Sequence, residues 1–150
     1  MHPFSLAEPY PRLCGPLEAV LLARDVLLIC GPPGSGKTTL AQASGLPVFD
    51  RDDPQWASEK QFRDALRRLG VSPTAQAAVI RSGATRRSRR WWTDMLRPTR
   101  TVMLTTDMAE CERRIRHRKR PRPPLKHQLA ALRSWYDRYE PDEYPPPLQW

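Results

Sequence analysis

The chain has 150 residues, of which 39% are hydrophobic and 27% charged, and its formal net charge at pH 7 is +9. This length favours one domain with one core, and no apolar run approaches the ~20 residues that a membrane span requires. The N-terminal segment lacks the basic and apolar stretches of a secretory leader, and the three cysteines fit neither a disulfide framework nor a zinc site. We therefore expect a cytoplasmic protein.

The predicted elements alternate between strands and helices along the chain. Ser58 is a candidate N-cap, and Gly45 and Gly70 are predicted to end the helices that precede them. The predicted strands cover 25–30, 46–49, 77–80 and 101–104, and the predicted helices cover 37–43, 59–69, 86–96, 108–117 and 125–139, with a further short helix over 17–24. This alternation predicts an α/β fold, a parallel sheet of about four to five strands with helices on both faces.

Both ends of the chain are rich in proline. Residues 1–24 form a predicted N-terminal extension and residues 141–150 a predicted tail, so the domain itself is expected over 25–140.

The excess positive charge is concentrated in one third of the chain. Residues 81–122 carry fourteen Lys or Arg and four Asp or Glu, whereas residues 1–80 carry eight of each. Such a block is typical of a surface that binds nucleic acid or another polyphosphate. The alternative is that arginines on exposed helix faces keep a small protein soluble.

Residues 31–38 read GPPGSGKT, which matches the pattern G-x4-G-K-[ST] between a predicted strand and a predicted helix. Glycines let successive backbone N–H groups turn toward one point, and the helix adds the positive end of its dipole. We therefore expect a phosphate loop that binds ATP, or another NTP, with Mg²⁺. Lys37 would reach the β- and γ-phosphates, and Thr38 would place its hydroxyl on the metal. The residues expected to bind the nucleotide are Gly31, Pro32, Pro33, Gly34, Ser35, Gly36, Lys37, Thr38 and Thr39.

A basic lid is predicted between the last two helices. Residues 116–124 read RHRKRPRPP, and their three prolines do not allow a continuous helix. The like charges repel one another, which also favours an exposed loop. A solvated charge run is the simpler interpretation, but such a loop could also close over a bound nucleotide.

The residues around the phosphate loop favour a phosphotransferase over a motor-type ATPase. The strand predicted over 77–80 is followed by Arg81-Ser82-Gly83, without the carboxylate that orients the metal in such ATPases. A kinase needs a carboxylate that accepts the acceptor's proton and basic groups that neutralise the transferred phosphoryl. The candidates are Asp50, Asp52 and Asp53 for the first role and Arg118, Lys119, Arg120 and Arg122 for the second. For the carboxylates, the alternative role is a turn with an N-cap.

The segments GPPGSGKTTLA, FDRDD and LRSWYDRY together resemble the kinase domain of phage polynucleotide kinases and related small P-loop kinases, over about residues 26–140. The resemblance implies that the first Asp of an Arg-Asp-Asp segment, here Asp52, is the general base for a polynucleotide 5′-hydroxyl. It also implies lid arginines that match best to Arg118 and Arg122.

The chain departs from that family at two positions, so the acceptor stays open. The family has an Arg three residues after the base, where this chain has Gln55, and an Asp after the third strand, where this chain has Gly83. Residues 84–92 offer another acceptor surface, because arginines there would contact phosphates and Trp91 or Trp92 would stack on a base unless it packs on the sheet. The candidate nucleic-acid contacts are Arg86, Arg87, Arg89, Arg90 and Arg120.

The leading hypothesis is an ATP-dependent kinase for a hydroxyl of a nucleic acid or nucleotide. Asp52 is its base, with Asp50 and Asp53 left open, and Lys37, Arg118 and Arg122 stabilise the transition state. Thr38 and Asp53 are the candidate magnesium ligands. The alternatives are a small-metabolite or nucleotide kinase, and a nucleotide-regulated module that binds nucleic acid without turnover.

Overall fold

The structure is a computed structural model that describes residues 24–142. The short helix expected over 17–24 and the two proline-rich ends therefore lie outside the described residues, apart from Arg24, Pro141 and Asp142. No helix among residues 24–142 is long and apolar enough to cross a membrane.

Strands and helices alternate through the described chain. The elements are β1 Asp25–Cys30, α1 Lys37–Ala43, β2 Val48–Phe49, α2 Glu59–Val71, β3 Gln76–Arg81, α3 Arg86–Leu96, β4 Arg100–Met103, α4 Met108–Arg118 and α5 Leu125–Arg138. The four strands form one sheet in the order β2-β3-β1-β4, and every neighbouring pair is parallel. The α/β fold with a parallel sheet is confirmed.

The sheet is buried on both faces, which explains why β1 is an uninterrupted apolar run. On one face, Leu28 packs with Phe62 of α2 and Trp92 of α3. On the other face, Ile29 packs with Ala41 of α1. Because helices cover both faces, the loops at the carboxyl edge of the sheet are the place where a ligand can bind, as in other open parallel sheets.

Helices α4 and α5 form a separate layer that lies against the loop after β1. Cys111 and Ile115 of α4 pack with Leu129 and Leu132 of α5. A Cβ atom added at Gly34 would lie 2.7 Å from the carbonyl oxygen of Cys111, so α4 contacts the backbone of the loop directly.

The prediction that Gly70 ends a helix is wrong. Helix α2 continues to Val71, and a Cβ atom at Gly70 would lie 2.0 Å from the carbonyl oxygen of Met95. The glycine therefore allows α2 and α3 to approach closely. The helix ends at Ser72 because the residue before Pro73 disfavours the helical conformation.

Other element bounds differ from the predictions by one or two residues. Strand β2 is limited to Val48–Phe49, although the Pro47 carbonyl still accepts from the N–H of Ala78 at 2.8 Å. Helix α4 continues to Arg118, so residues 116–118 of the predicted lid are its last turn and only residues 119–124 lie outside helices.

Candidate active site

The loop after β1 has the backbone of a phosphate-binding loop. Gly34 and Gly36 have φ angles of 77° and 98°, in the left-handed region that favours glycine. The N–H of Ser35 donates to the carbonyl of Pro32 at 3.2 Å, which closes a tight turn before α1 begins at Lys37. The glycines and the helix start therefore lie where the sequence predicts them.

The ammonium group of Lys37 folds back onto the loop. Its Nζ atom donates to the carbonyls of Gly31 at 2.8 Å and Pro32 at 2.7 Å. Burial lowers the pKa of Lys37 to about 8, although the charge of Asp50 raises it. A partly buried cation held by neutral carbonyls is poorly compensated, so an anionic phosphate beside it would be stabilising.

The loop is supported from the side of β4 and α5. The hydroxyl of Thr106 donates to the carbonyl of Ser35 at 2.9 Å, and the hydroxyl of Tyr136 donates to the carbonyl of Thr106. The indole N–H of Trp135 donates at 2.7 Å to the carbonyl of Ser82, which also accepts the N–H of Gly31. The segment LRSWYDRY, noted above only for its resemblance, thus holds the phosphate loop in place.

One buried polar atom of the loop has no partner. Ser35 is buried, and its hydroxyl oxygen makes no hydrogen bond within residues 24–142. Buried hydroxyls are normally paired, so this oxygen is a hydrogen-bonding group that the loop can offer to a bound phosphate.

The acidic turn after β2 uses its three carboxylates differently. Asp50 accepts the N–H of Asp52 at 3.1 Å, and Asp53 accepts the N–H of Gln55 at 3.0 Å. Both therefore stabilise the turn. The side chain of Asp52 is 80% exposed, and its carboxylate lies 3.9 Å from a guanidinium nitrogen of Arg120. Among the described residues, Asp52 is thus the carboxylate of the three that accepts no N–H of the turn, although all three line the cleft described below.

The lid segment, residues 119–124, is held in place by hydrogen bonds from Gln128. The side-chain amide of Gln128 donates to the carbonyls of Arg120 at 2.9 Å and Pro123 at 2.7 Å, and it accepts from Arg118 at 3.0 Å. Only 4% of Gln128 is exposed. Sequence reasoning missed this residue, since a glutamine in a helix carries no signal of such a role.

An open cleft of about 610 Å³ brings the predicted parts together. Its walls come from the start of α1, the acidic turn and the lid. The lining residues are Thr38, Gln42, Val48, Asp50, Asp52, Asp53, Pro54, Arg120, Arg122 and Pro123. A cleft of this kind can hold a polyphosphate beside a hydroxyl-bearing acceptor, with carboxylates on one wall and guanidinium groups on another.

The arginines of α4 and of the lid occupy positions that differ from the prediction. Arg118 is bonded to Gln128 and does not line the cleft, whereas Arg120 lines it with Arg122. Arg114, which the sequence reasoning passed over, lies over the phosphate loop, with Nη1 3.4 Å from the Gly34 carbonyl and within 3.5 Å of where a Cβ of Gly36 would lie. Its position four residues before Arg118, on the same face of α4, was the available signal.

The donor set at the cleft fits Mg²⁺ only together with phosphate. Within residues 24–142, no group of three His, Cys, Asp or Glu side chains could hold a metal. Thr38 and Asp53 both line the cleft, however. Mg²⁺ is usually bound through one or two protein ligands, several waters and substrate phosphates, and an oxygen donor pair such as this fits that mode of binding.

The five arginines predicted to contact nucleic acid are divided between two places: Arg86, Arg89 and Arg90 line a second cavity of about 570 Å³, whereas Arg120 lines the cleft. Arg89 is 9% exposed, and its guanidinium donates to the carbonyls of Gly83 at 2.8 Å and Ala84 at 3.0 Å. Its assignment as a nucleic-acid contact is therefore corrected: Arg89 anchors the start of α3. Arg86 forms an ion pair with Glu140 at 3.7 Å.

Arg87 and Arg90 remain exposed on α3, beside the two tryptophans. Trp92 is buried in the core, as expected for one of the pair, whereas Trp91 is 41% exposed and stacks under Arg63 at 4.9 Å.

Comparison with known proteins supports the fold. No protein-family model matches the chain, and no curated protein sequence matches it. Among solved structures, APE1195 is 20% identical, with a TM-score of 0.50 over 82% of this chain and 83% of that chain. Kti12 of Chaetomium thermophilum in complex with ADP-AlF3 is 18% identical, with a TM-score of 0.48 over 77% and 80% of the two chains. A gluconokinase from Sinorhizobium meliloti 1021 is 20% identical, with a TM-score of 0.46 over 73% and 75%.

The sheet, the glycine loop and the helix that follows it define the P-loop NTPase/kinase fold. At these identities the comparisons concern the fold, and the reaction has to be argued from the residues of the cleft.

Proposed function

We propose that the protein is an ATP-dependent phosphotransferase that moves the γ-phosphate to a hydroxyl of a nucleic acid or nucleotide. The observation that carries the proposal is the cleft, where Thr38 of the phosphate-loop helix, Asp52 of the acidic turn and two lid arginines line one space. A phosphoryl transfer needs such groups around one phosphorus atom. The proposed domain covers residues 25–140, with the lid as its movable part.

The cleft residues, together with Lys37 of the adjoining phosphate loop, can perform the transfer as follows. Asp52 accepts the proton of the acceptor hydroxyl, and the acceptor oxygen forms a bond to the γ-phosphorus. The bond from the γ-phosphorus to the β–γ bridging oxygen breaks, and ADP leaves with that oxygen. The negative charge that develops on the phosphoryl oxygens is neutralised by Lys37, Arg118 and Arg122, with Arg120 as a further cation of the cleft wall.

Arg118 has a supporting role in this proposal. It is bonded to Gln128, and its charge also acts on Asp52 and on Lys37. Thr38 and Asp53 would hold Mg²⁺, which supplies further neutralisation of phosphate charge when bound.

The cleft volume also favours a second candidate, a kinase for a small metabolite or nucleotide. About 610 Å³ lies within the range of small-molecule sites. Affinity for nucleic acid with a steep dependence on salt would favour the first candidate over this one, since each phosphate contact releases counterions.

The test is transfer of labelled phosphate from γ-labelled ATP, with Mg²⁺, to a panel of acceptors. The panel contains 5′-hydroxyl DNA and RNA, DNA with hydroxymethylated bases, nucleosides and nucleoside monophosphates. We expect label on one acceptor class, and its loss in Lys37→Ala and Asp52→Asn. Asp94→Asn, at an exposed carboxylate of α3, is the matched control and should retain transfer.

ATP binding without transfer to any acceptor would contradict the proposal and favour a nucleotide-regulated binding module. Retention of full transfer by Asp52→Asn would contradict the assignment of the base alone.

A further inference from the structure

Three arginines converge on one carboxylate beside the candidate active site. Glu59 accepts from Arg51 at 3.1 Å through Oε2, and from Arg63 at 3.1 Å and Arg81 at 3.2 Å through Oε1. One carboxylate can neutralise one of the three charges. These four residues, the Glu59 cluster, therefore carry an excess positive charge that no anion within the cluster balances.

The Glu59 cluster lies at the same edge of the sheet as the cleft. Arg81 is the last residue of β3 and pairs in register with Cys30, the residue before the phosphate loop. Arg51 stands between Asp50 and Asp52 in the acidic turn. The cluster therefore lies next to the proposed base along the chain and, through Arg81, beside the strand end from which the phosphate loop starts, just outside the residues that line the cleft.

Arg81 is held in a form suited to binding an anion. Its guanidinium lies 3.9 Å over the ring of Trp92 and 5.3 Å over that of Phe62, and 16% of its side chain is exposed. Within residues 24–142 its hydrogen bond goes to Glu59, one of five N–H groups that a guanidinium can donate. Aromatic stacking fixes the plane of the fork and leaves the other N–H groups for a second acceptor.

A purely structural role does not account for the charge. An ion pair between Glu59 and one arginine would suffice to join α2 to β3, and further guanidinium groups on the same carboxylate repel one another. A phosphate group suits several guanidinium groups at once, because its oxygens accept forked hydrogen bonds and it carries more charge than one carboxylate.

We propose that the Glu59 cluster binds a phosphate group carried by the acceptor. The acceptor is then a phosphorylated molecule, a nucleotide or a strand end, whose hydroxyl lies at Asp52 while its phosphate lies at Arg51 and Arg81. This inference rests on the proposed function, since it assigns the acceptor half of the same site.

Binding is measured by calorimetry with the triphosphate site saturated by a non-hydrolysable ATP analogue and Mg²⁺. The probes are nucleoside 5′-monophosphates, a short 5′-hydroxyl oligonucleotide and the unphosphorylated nucleosides. We expect the phosphorylated probes to bind, and Arg51→Met and Arg81→Met to raise their Kd at least about ten-fold, the loss of one charge-assisted hydrogen bond. Which phosphorylated probe binds tells a mononucleotide from a strand.

Two controls distinguish a phosphate contact from a general loss of positive charge and from misfolding of a variant. Arg67→Met, at an arginine of α2 that pairs with Asp64, should leave the Kd unchanged. Arg51 is more exposed than Arg81, so Arg51→Met keeps the test valid if Arg81→Met fails to fold.

Equal Kd values for nucleosides and their monophosphates, or no change in Arg51→Met, would overturn the inference. Transfer to an unphosphorylated hydroxyl that is unaffected in Arg51→Met would overturn it while the kinase proposal stands. Arginine-dependent phosphate binding without any transfer would instead overturn the kinase proposal alone.

Discussion

Single residues of the phosphate loop set how strongly it attracts a triphosphate. Lys37 is a cation whose partners in the described chain are the neutral carbonyls of Gly31 and Pro32. Burial disfavours its charged form and lowers its pKa to about 8. A bound γ-phosphate would favour the protonated form of Lys37, so that the affinity for the nucleotide depends on the protonation of this side chain.

We predict that the affinity for an ATP analogue falls as the pH rises above about 8. Free Lys37 loses its proton there, whereas Lys37 beside a phosphate keeps it, so binding requires uptake of a proton at high pH. The expected rise in Kd is about ten-fold between pH 7.5 and 9, measured by calorimetry with Mg²⁺. Lys37→Arg, whose guanidinium stays charged, should show a flat profile; a flat wild-type profile would contradict the prediction.

At the scale of elements, close contacts between helices decide what a substitution does. Gly70 lies inside α2, where alanine is ordinarily more stable by about 1 kcal/mol. Here the methyl group would overlap the carbonyl oxygen of Met95, at the end of α3. Overpacking against a backbone atom exceeds the gain in helix propensity.

Gly70→Ala is therefore expected to destabilise the protein by about 1–3 kcal/mol, the opposite of its effect in an isolated helix. Urea unfolding followed by circular dichroism measures this change. The matched control is Gly45→Ala, which has no atom within 4 Å of the new Cβ but a φ of 75°, so its cost is limited to backbone strain of about 1–2 kcal/mol. If Gly70→Ala instead increases the stability, the prediction is wrong, because α2 and α3 can then move apart at little cost in free energy.

The conformation of the lid, residues 119–124, depends on the side chain of Gln128 in α5. Gln128→Leu removes both donors to the lid carbonyls and the acceptor for Arg118. We expect faster amide hydrogen exchange in residues 119–124, at least about ten-fold slower phosphoryl transfer, and a loss of about 1–3 kcal/mol in stability. His127→Ala, at the exposed preceding residue, should change neither exchange nor transfer. Unchanged lid exchange in Gln128→Leu would contradict this role.

At the scale of the whole molecule, the sequence was sufficient for the parts whose signals are local. The sheet and the phosphate loop were predicted from the apolar run 26–30, the glycines of the loop and the alternation of elements, because each of these signals depends on its own segment. Arg89 and Gln128 could not be assigned, since their roles depend on carbonyls 5 to 51 residues away along the chain. A polar side chain in a helix has the same local pattern whether it faces solvent or a buried carbonyl.

The positive block at 81–122 therefore separates into buried and exposed charges, and we predict that they respond differently to mutation. Arg87 and Arg90 are exposed, so Arg87→Ala/Arg90→Ala should weaken binding to single-stranded nucleic acid and reduce the slope of log K against log salt by about 1.4, at about 0.7 per contact. Fluorescence anisotropy over a salt series measures this slope. Arg89→Ala should instead destabilise the fold by about 1–3 kcal/mol for each buried carbonyl that it leaves unpaired. If Arg89→Ala is stable and reduces the salt slope, Arg89 contacts nucleic acid after all. If the double variant leaves the slope unchanged, α3 does not contact nucleic acid.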